Sequence, residues 1–266
     1  MPKHLKRIAG VLLALACLAA GGESRADDPA DPIQFYRIEG GTFTMGAENT
    51  DSMSSVYSTP LHEVTIKTFE IARTLVTVEQ YQQCIDDGKC GAPGTGEFCN
   101  WGKPERRKHP INCVTWKDAI DFATFKKARL PSEAEYEYAM TSEGKNRPYP
   151  WGPQEPDCAK VATCGNGCGG CGSQGTMPVC SKPAGNTEQG LCDMVGEVWE
   201  YTQDTWHKSY KGAPKDGRAW VTGGGKRRVV RGGSFLSFDP MNMRSDFRSL
   251  DDPNYRYASV GFRLAR

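Results

Sequence analysis

Apolar and polar residues recur along the chain in two rhythms, and each predicts a kind of element. EVTIKTFEIA (63–72) alternates with period two, as a half-buried strand with a small bulge does. TVEQYQQCID (77–86) reads as a helix, with Thr77 as its N-cap and Gly88 just past its end. In TWKDAIDFATFKKA (115–128) the positions Trp116, Ala119, Ile120 and Ala123 recur at helical spacing. PSEAEYEYAM (131–140) predicts a third helix, because Ser132 and Glu135 have capping-box spacing and Ala134 and Tyr138 share a face. RRVVRGGSF (227–235) and SVGFRLAR (259–266) are the last strand candidates.

The stretch from 141 to 232 breaks both rhythms. It is dense in Gly, Pro, Asn and Cys. It also carries Trp151, Trp199, Trp206, Trp220 and six cysteines, and aromatics and disulfides hold loops onto a core. The expectation is one α+β domain with long ordered loops and low secondary-structure content, without internal repeats.

Composition narrows the function classes. The chain has 266 residues, 38% hydrophobic and 24% charged, which suffices for a real core. Its 33 Lys and Arg against 32 Asp and Glu give a net charge of +1, so no basic excess points to nucleic acid. Function must sit in a local site.

Residues 1–26 read as a secretory signal peptide. Lys3, Lys6 and Arg7 precede an apolar run from Ile8 to Ala20, and small residues follow up to Ala26. That run falls short of the roughly 20 residues of a spanning helix, and no later run is long enough. Lipidation at Cys17 is the alternative. The expected organisation is a signal peptide at 1–26, a flexible mature N-terminus at 27–37 and a domain at 38–266. The expected location is periplasmic or secreted.

Export explains the cysteines. Without Cys17 there remain Cys84, Cys90, Cys99, Cys113, Cys158, Cys164, Cys168, Cys171, Cys180 and Cys192. An even number in an oxidising compartment reads as five disulfides. Spacing suggests Cys84 with Cys90 and Cys99 with Cys113, and it leaves the other six open. The C-x3-C-x2-C run at 164–171 suggests an iron–sulfur cluster on spacing alone, but export favours disulfides.

Nine motifs follow in order: GGTFTMG (40–46), VTVEQY (76–81), HPINCVTW (109–116), RLPSEAEYEYA (129–139), YPWG (149–152), TMPV (176–179), GLCDMVGEVWEY (190–201), RVVRGGSF (228–235) and VGFR (260–263). In this order they resemble the formylglycine-generating-enzyme, or sulfatase-modifying-factor, family. The resemblance runs from about residue 38 to 266. It implies the family's C-type-lectin-like α+β fold. It also implies several possible activities, because the family includes pyoverdine-maturation proteins, an ergothioneine-synthesis domain and hypervariable ligand-binding proteins.

The resemblance places a site but not its chemistry. In formylglycine-generating enzymes two cysteines after the RGGS strand bind copper(I), a soft ion that thiolates suit. Here those positions carry Ser237 and Asn242, and no cysteine follows Cys192. Copper–thiolate formylglycine chemistry is therefore not expected. Met241 and Met243 flank the site, and packing is their expected role. The resemblance also implies a structural calcium ion at Asp193, Gly196, Val198 and Glu200, through two carboxylates and two carbonyls. The alternative pairs Glu200 with an arginine such as Arg231. Ser237, Asp239, Asn242 and Arg244 are the expected ligand-binding residues in the family cleft, against a solvated loop with internal ion pairs.

The leading reading is an exported domain that binds a small-molecule or protein ligand at that cleft without copper–thiolate chemistry. The alternative is a periplasmic oxidative maturation enzyme like the pyoverdine branch, with an acid such as Asp239 or Glu197 moving protons. The sequence leaves open whether the chain is an enzyme.

Overall fold

The computed structural model describes residues 32–48, 56–162, 171 and 175–266. The expected signal peptide and Cys17, with Cys164 and Cys168, lie outside these residues.

Two antiparallel hairpin-like pairs build one half. Strand β1 (Phe35–Ile38) pairs with β4 (Phe69–Ala72), and β2 (Gly41–Met45) pairs with β3 (His62–Ile66). The single bulged strand expected over 63–72 is thus two strands with different partners. The break occurs where Gly40 crosses it, since a Cβ there would lie 2.6 Å from Ile66 O and 2.7 Å from Thr68 N. The pairing Phe35↔Ala72 also places residues 35–37 in a strand, so the ordered fold begins inside the segment expected to be flexible.

A four-stranded sheet forms the other half. Its order is β7 (Arg248–Asp251), β6 (Arg228–Arg231), β5 (Trp199–Thr205), β8 (Val260–Gly261), with only β5 and β8 parallel. β8 is far shorter than the 259–266 run suggested. Beyond it the chain makes isolated bridges from Ala265 to Ile71 and Arg129, which join the two halves.

The three helices stand where the sequence places them: α1 (Val78–Asp86), α2 (Trp116–Phe125) and α3 (Glu133–Met140). Thr77, Thr115 and Ser132 each accept from the N3 backbone N–H, while Gln80, Asp118 and Glu135 reach back to complete a capping box. α3 is buried on every side, including Glu133, Glu135 and Glu137. One apolar cluster packs Ile38, Val64, Ile71, Tyr136 and Met243 around it. A second packs Tyr81, Phe122, Val230 and Phe262 beneath α1 and α2, with Tyr81 stacked on Phe122 at 5.4 Å. Each such side chain contributes about 1.5–3 kcal/mol on burial.

The described cysteines form Cys84–Cys90, Cys99–Cys113, Cys158–Cys171 and Cys180–Cys192. The first two pairs match the spacing argument. Among the described residues no helix is long and apolar enough to cross a membrane.

Candidate functional site

β6 delivers the chain into a crowded turn that only glycine can make. Gly232 and Gly233 have φ of +94° and +73°. A Cβ on Gly232 would lie 2.6 Å from both Met194 O and the Tyr136 hydroxyl, and one on Gly233 would lie 2.9 Å from Asn242 O. The pair therefore brings three segments together: loop 193–198, the end of β6 and the short 3-10 helix Pro240–Met243.

The two positions expected to replace the family cysteines sit just past this turn. Ser237 is buried, and its Oγ accepts from Ser234 N at 3.0 Å while its own N–H donates to Ser234 O at 2.8 Å. The hydroxyl thus closes a tight turn. Asn242 lies in the 3-10 helix, and its N–H donates to Asp239 O. Met243 is fully buried in the core beside Gly196 and Gly233, so it packs, as expected. All eight described cysteines are in disulfides.

The other expected cleft residues are not gathered. Asp239 is exposed and caps the 3-10 helix through Met241 N at 2.9 Å. Arg244 turns back on Asp246 in a bidentate pair at 3.0 and 2.8 Å. With Asp246 it lines a separate polar cavity of about 170 Å³ that also reaches Glu137 and Arg147. Arg248 leaves the surface altogether and pairs with Glu133 at 2.5 and 2.8 Å.

Exposed apolar side chains adjoin Ser237 instead. Leu236 and Phe238 flank it and are exposed, Phe238 by 65%. Phe98 meets Phe235 at 6.1 Å between ring centroids, and Tyr255 meets Tyr257 at 5.8 Å. Asn112 ties the two groups together, because its amide donates to both Phe98 O (2.8 Å) and Ala258 O (2.7 Å). Sequence reasoning missed these side chains, although Phe235, Leu236 and Phe238 directly bracket the position it identified.

Loop 193–200 adjoins these side chains. Its Glu200 does not pair with Arg231. Arg263 donates to it from Nε at 2.6 Å and Nη2 at 2.7 Å, and Tyr136 donates at 3.0 Å. Arg231 turns to Glu137 and Glu133. Burial pushes the Glu137 carboxyl up to about 7, with Arg231 pulling against it. Two further acids of the loop, the half-buried Asp193 and the buried Glu197, have no ion pair among the described residues. Asp193 Oδ2 accepts from Cys180 N at 2.6 Å, and Glu197 Oε1 accepts from Met177 N at 2.5 Å. Burial raises both carboxyls, and the neighbouring Asp193 raises Glu197 further, well above the usual carboxylate range. Uncompensated buried carboxylates are costly, and hard oxygen donors of this kind suit calcium. Asp193 fits that role. Glu200 fits it less well, since Arg263 already balances its charge.

Lone histidines do not build a centre. His109 Nδ1 lies 2.9 Å from Thr176 Oγ1, and burial lowers the ring to about 4. Among the described residues no cluster of three or more His, Cys, Asp or Glu is arranged to hold a metal.

Comparison with known proteins matches this architecture. The sulfatase-modifying factor enzyme 1-like domain family matches residues 23–266. The mouse (Mus musculus) formylglycine-generating enzyme is 35% identical over 187 residues, covering 62% of this chain and 48% of that protein. The hercynine oxygenase of Mycolicibacterium smegmatis is 30% identical, covering 86% of this chain and 60% of that protein. The chain thus spans about half to three-fifths of the length of these relatives. The solved structure of PvdO from Pseudomonas aeruginosa superposes with a TM-score of 0.73 at 32% identity, covering 87% of this chain and 93% of that one. With its strand-borne RGGS turn, buried 193–200 loop and loop-rich α+β frame, the chain belongs to the sulfatase-modifying-factor family.

Proposed function

We propose that this chain is an exported member of the family that holds a ligand bearing aromatic or aliphatic groups in the family cleft, without copper–thiolate chemistry. The observation that carries the reading is Ser237. Where the resembled enzymes place a thiolate, this chain places a buried hydroxyl committed to Ser234 N, beside exposed apolar side chains. A hydroxyl and an amide do not suit copper(I). Exposed apolar side chains beside the family site suit a ligand with rings or branched chains. Four disulfides support export, since such bonds persist in oxidising compartments.

The reading retains calcium on loop 193–200, held by Asp193, the carbonyls of Gly196 and Val198, and Glu200 shared with Arg263. The half-buried Asp193 and the buried Glu197, each with one backbone donor and no ion pair among the described residues, support it.

A second reading, oxidative maturation of a substrate, draws support from the likeness to PvdO and to hercynine oxygenases. Of the two acids considered, Glu197 is the better placed. It is buried, inclined to hold its proton, and its backbone O accepts from Phe235 N. Asp239 is exposed and occupied in capping.

Fluorescein-labelled hexapeptides with Phe, Tyr or Leu in a Gly-Ser background test the binding reading by anisotropy. Saturable binding that weakens in Phe238→Ala and Tyr255→Ala is expected. Equal, non-saturable signals for all three peptides and for both variants would sink it. A mass change in a bound peptide under oxygen would move the assignment to the second reading. A formylglycine product from a sulfatase-motif peptide with copper and oxygen would overturn both.

A further inference from the structure

β5 begins at the family cleft and ends about 20 Å away, at roughly 3.3 Å per residue, in a second concave site. A cavity of about 390 Å³ lies there between Trp206, His207, Trp220 and the glycine run 223–225. It is independent of the reading above.

The walls are firmly built. Trp220 N donates to Asp204 Oδ1 at 2.7 Å, and Trp220 O accepts from Thr205 N and Oγ1 at 3.1 and 2.9 Å. Gly225 N donates to Trp206 O at 3.2 Å. A Cβ on Gly224 would lie 2.5 Å from Thr205 Oγ1 and 2.7 Å from His207 Cε1, so only glycine lets this loop close on the strand. The His207 ring lies flat on Trp220, 3.5 Å between centroids and 4° from parallel. Its nitrogens sit 2.9 Å from Thr205 O and 3.0 Å from Thr222 O, so the backbone fixes the ring plane.

The charge of the site is one-sided. Lys208 and Lys211 line it, both exposed and neither ion-paired among the described residues. Among the described residues no carboxylate lines it. The nearest acid on these elements, Asp204, is buried and gives one oxygen each to Trp220 N and Glu133 N. Flat indole and imidazole walls accept a planar ring. Two unpaired ammonium groups at the mouth accept an anion as point charges.

We propose that this cavity binds a planar organic anion, an aromatic ring against Trp220 with its carboxylate held by Lys208 and Lys211. The probe is naphthalene-2-carboxylate, titrated into the full mature chain and followed by calorimetry. One saturable equivalent is expected. Lys208→Ala/Lys211→Ala is expected to weaken it about tenfold, as is replacing the carboxylate by neutral naphthalene-2-methanol, because both remove the charge pairing. Both lysines are exposed, so the double variant keeps its fold, which circular dichroism checks. Trp220→Leu is expected to weaken both probes. No saturable binding up to millimolar probe overturns the inference, as does equal binding by the lysine variant or by the neutral probe. Loss of binding in Phe238→Ala but not in the lysine variant would put the probe in the family cleft and equally overturn it.

Discussion

Arg263 and Glu200 meet with both side chains fully buried, the guanidinium straddling the carboxylate at 2.6 and 2.7 Å. The same guanidinium also donates to the carbonyls of Ala72, Arg73, Cys192 and Asp193. One arginine from the C-terminal run thus fastens β4, loop 193–200 and β5. Removing one partner of such a pair leaves a buried charge without compensation, which costs about 3–5 kcal/mol. Glu200→Ala is therefore expected to lower the unfolding free energy by that amount, read from a lower denaturant midpoint. A midpoint within experimental error of the parent chain would show that the pair does not hold the loop.

Asp251 offers a pH-dependent counterpart. Burial pushes its carboxyl up to about 7, with Asp252 adding to the rise and its own backbone N–H opposing it. The unfolded carboxyl titrates near 3.9. Between these values the unfolded chain has released its proton and the folded chain has not. Stability therefore falls as pH rises from about 4 to 7. Asp251→Asn cannot ionise, so it is expected to flatten this slope and gain about 1 kcal/mol at pH 8, after discounting for partial exposure. Melting curves at pH 5 and pH 8 check it, and an unchanged difference between the two would refute the assignment.

What the sequence disclosed divides along local and long-range interactions. The three helices were legible because each carries its start signal within four residues, as Ser132 and Glu135 do. β5 was not, because WEYTQDT lacks apolar alternation: Glu200, Thr202 and Asp204 are polar and buried. Their partners, such as Arg263 and the Glu133 N–H, lie 63 and 71 residues away. Glu200 does pair with an arginine, but with Arg263 rather than the Arg231 offered as an example, for a related reason. Glu200 and Arg231 are opposite in the β5–β6 register, yet the Arg231 side chain goes to α3. Near Ser237, the bidentate bond of Arg244 to Asp246 was not legible, because it depends on backbone geometry that spacing does not reveal.

The disulfides carry a stability prediction of their own. Cys99–Cys113, Cys158–Cys171 and Cys180–Cys192 close loops with sequence separations of 14, 13 and 12. Loops of this length contribute about 3 kcal/mol each through the unfolded chain. Reduction of the mature protein is expected to lower the melting temperature by tens of degrees or to unfold it at 37 °C. An identical melt with and without reductant would mean that these bonds are not formed in the protein as purified.

Calcium has the sharpest single-residue test. Asp193 is half-buried, has φ of +55°, and receives one backbone hydrogen bond but no ion pair among the described residues. Such a carboxylate costs stability unless something compensates it. A bound cation would do so, and would raise stability by about 2.7 kcal/mol at a hundredfold excess over its dissociation constant. Adding calcium to the chelator-treated chain is expected to raise its melting temperature, and Asp193→Ala is expected to abolish that rise. Glu197→Gln separates local electrostatics from ligation. It removes an ionisable carboxyl beside Asp193 while keeping an amide oxygen for Met177 N, so the calcium response should persist. If calcium shifts neither the parent chain nor Glu197→Gln, the loop is held by Arg263 and its disulfide alone, and the ion has no place in it.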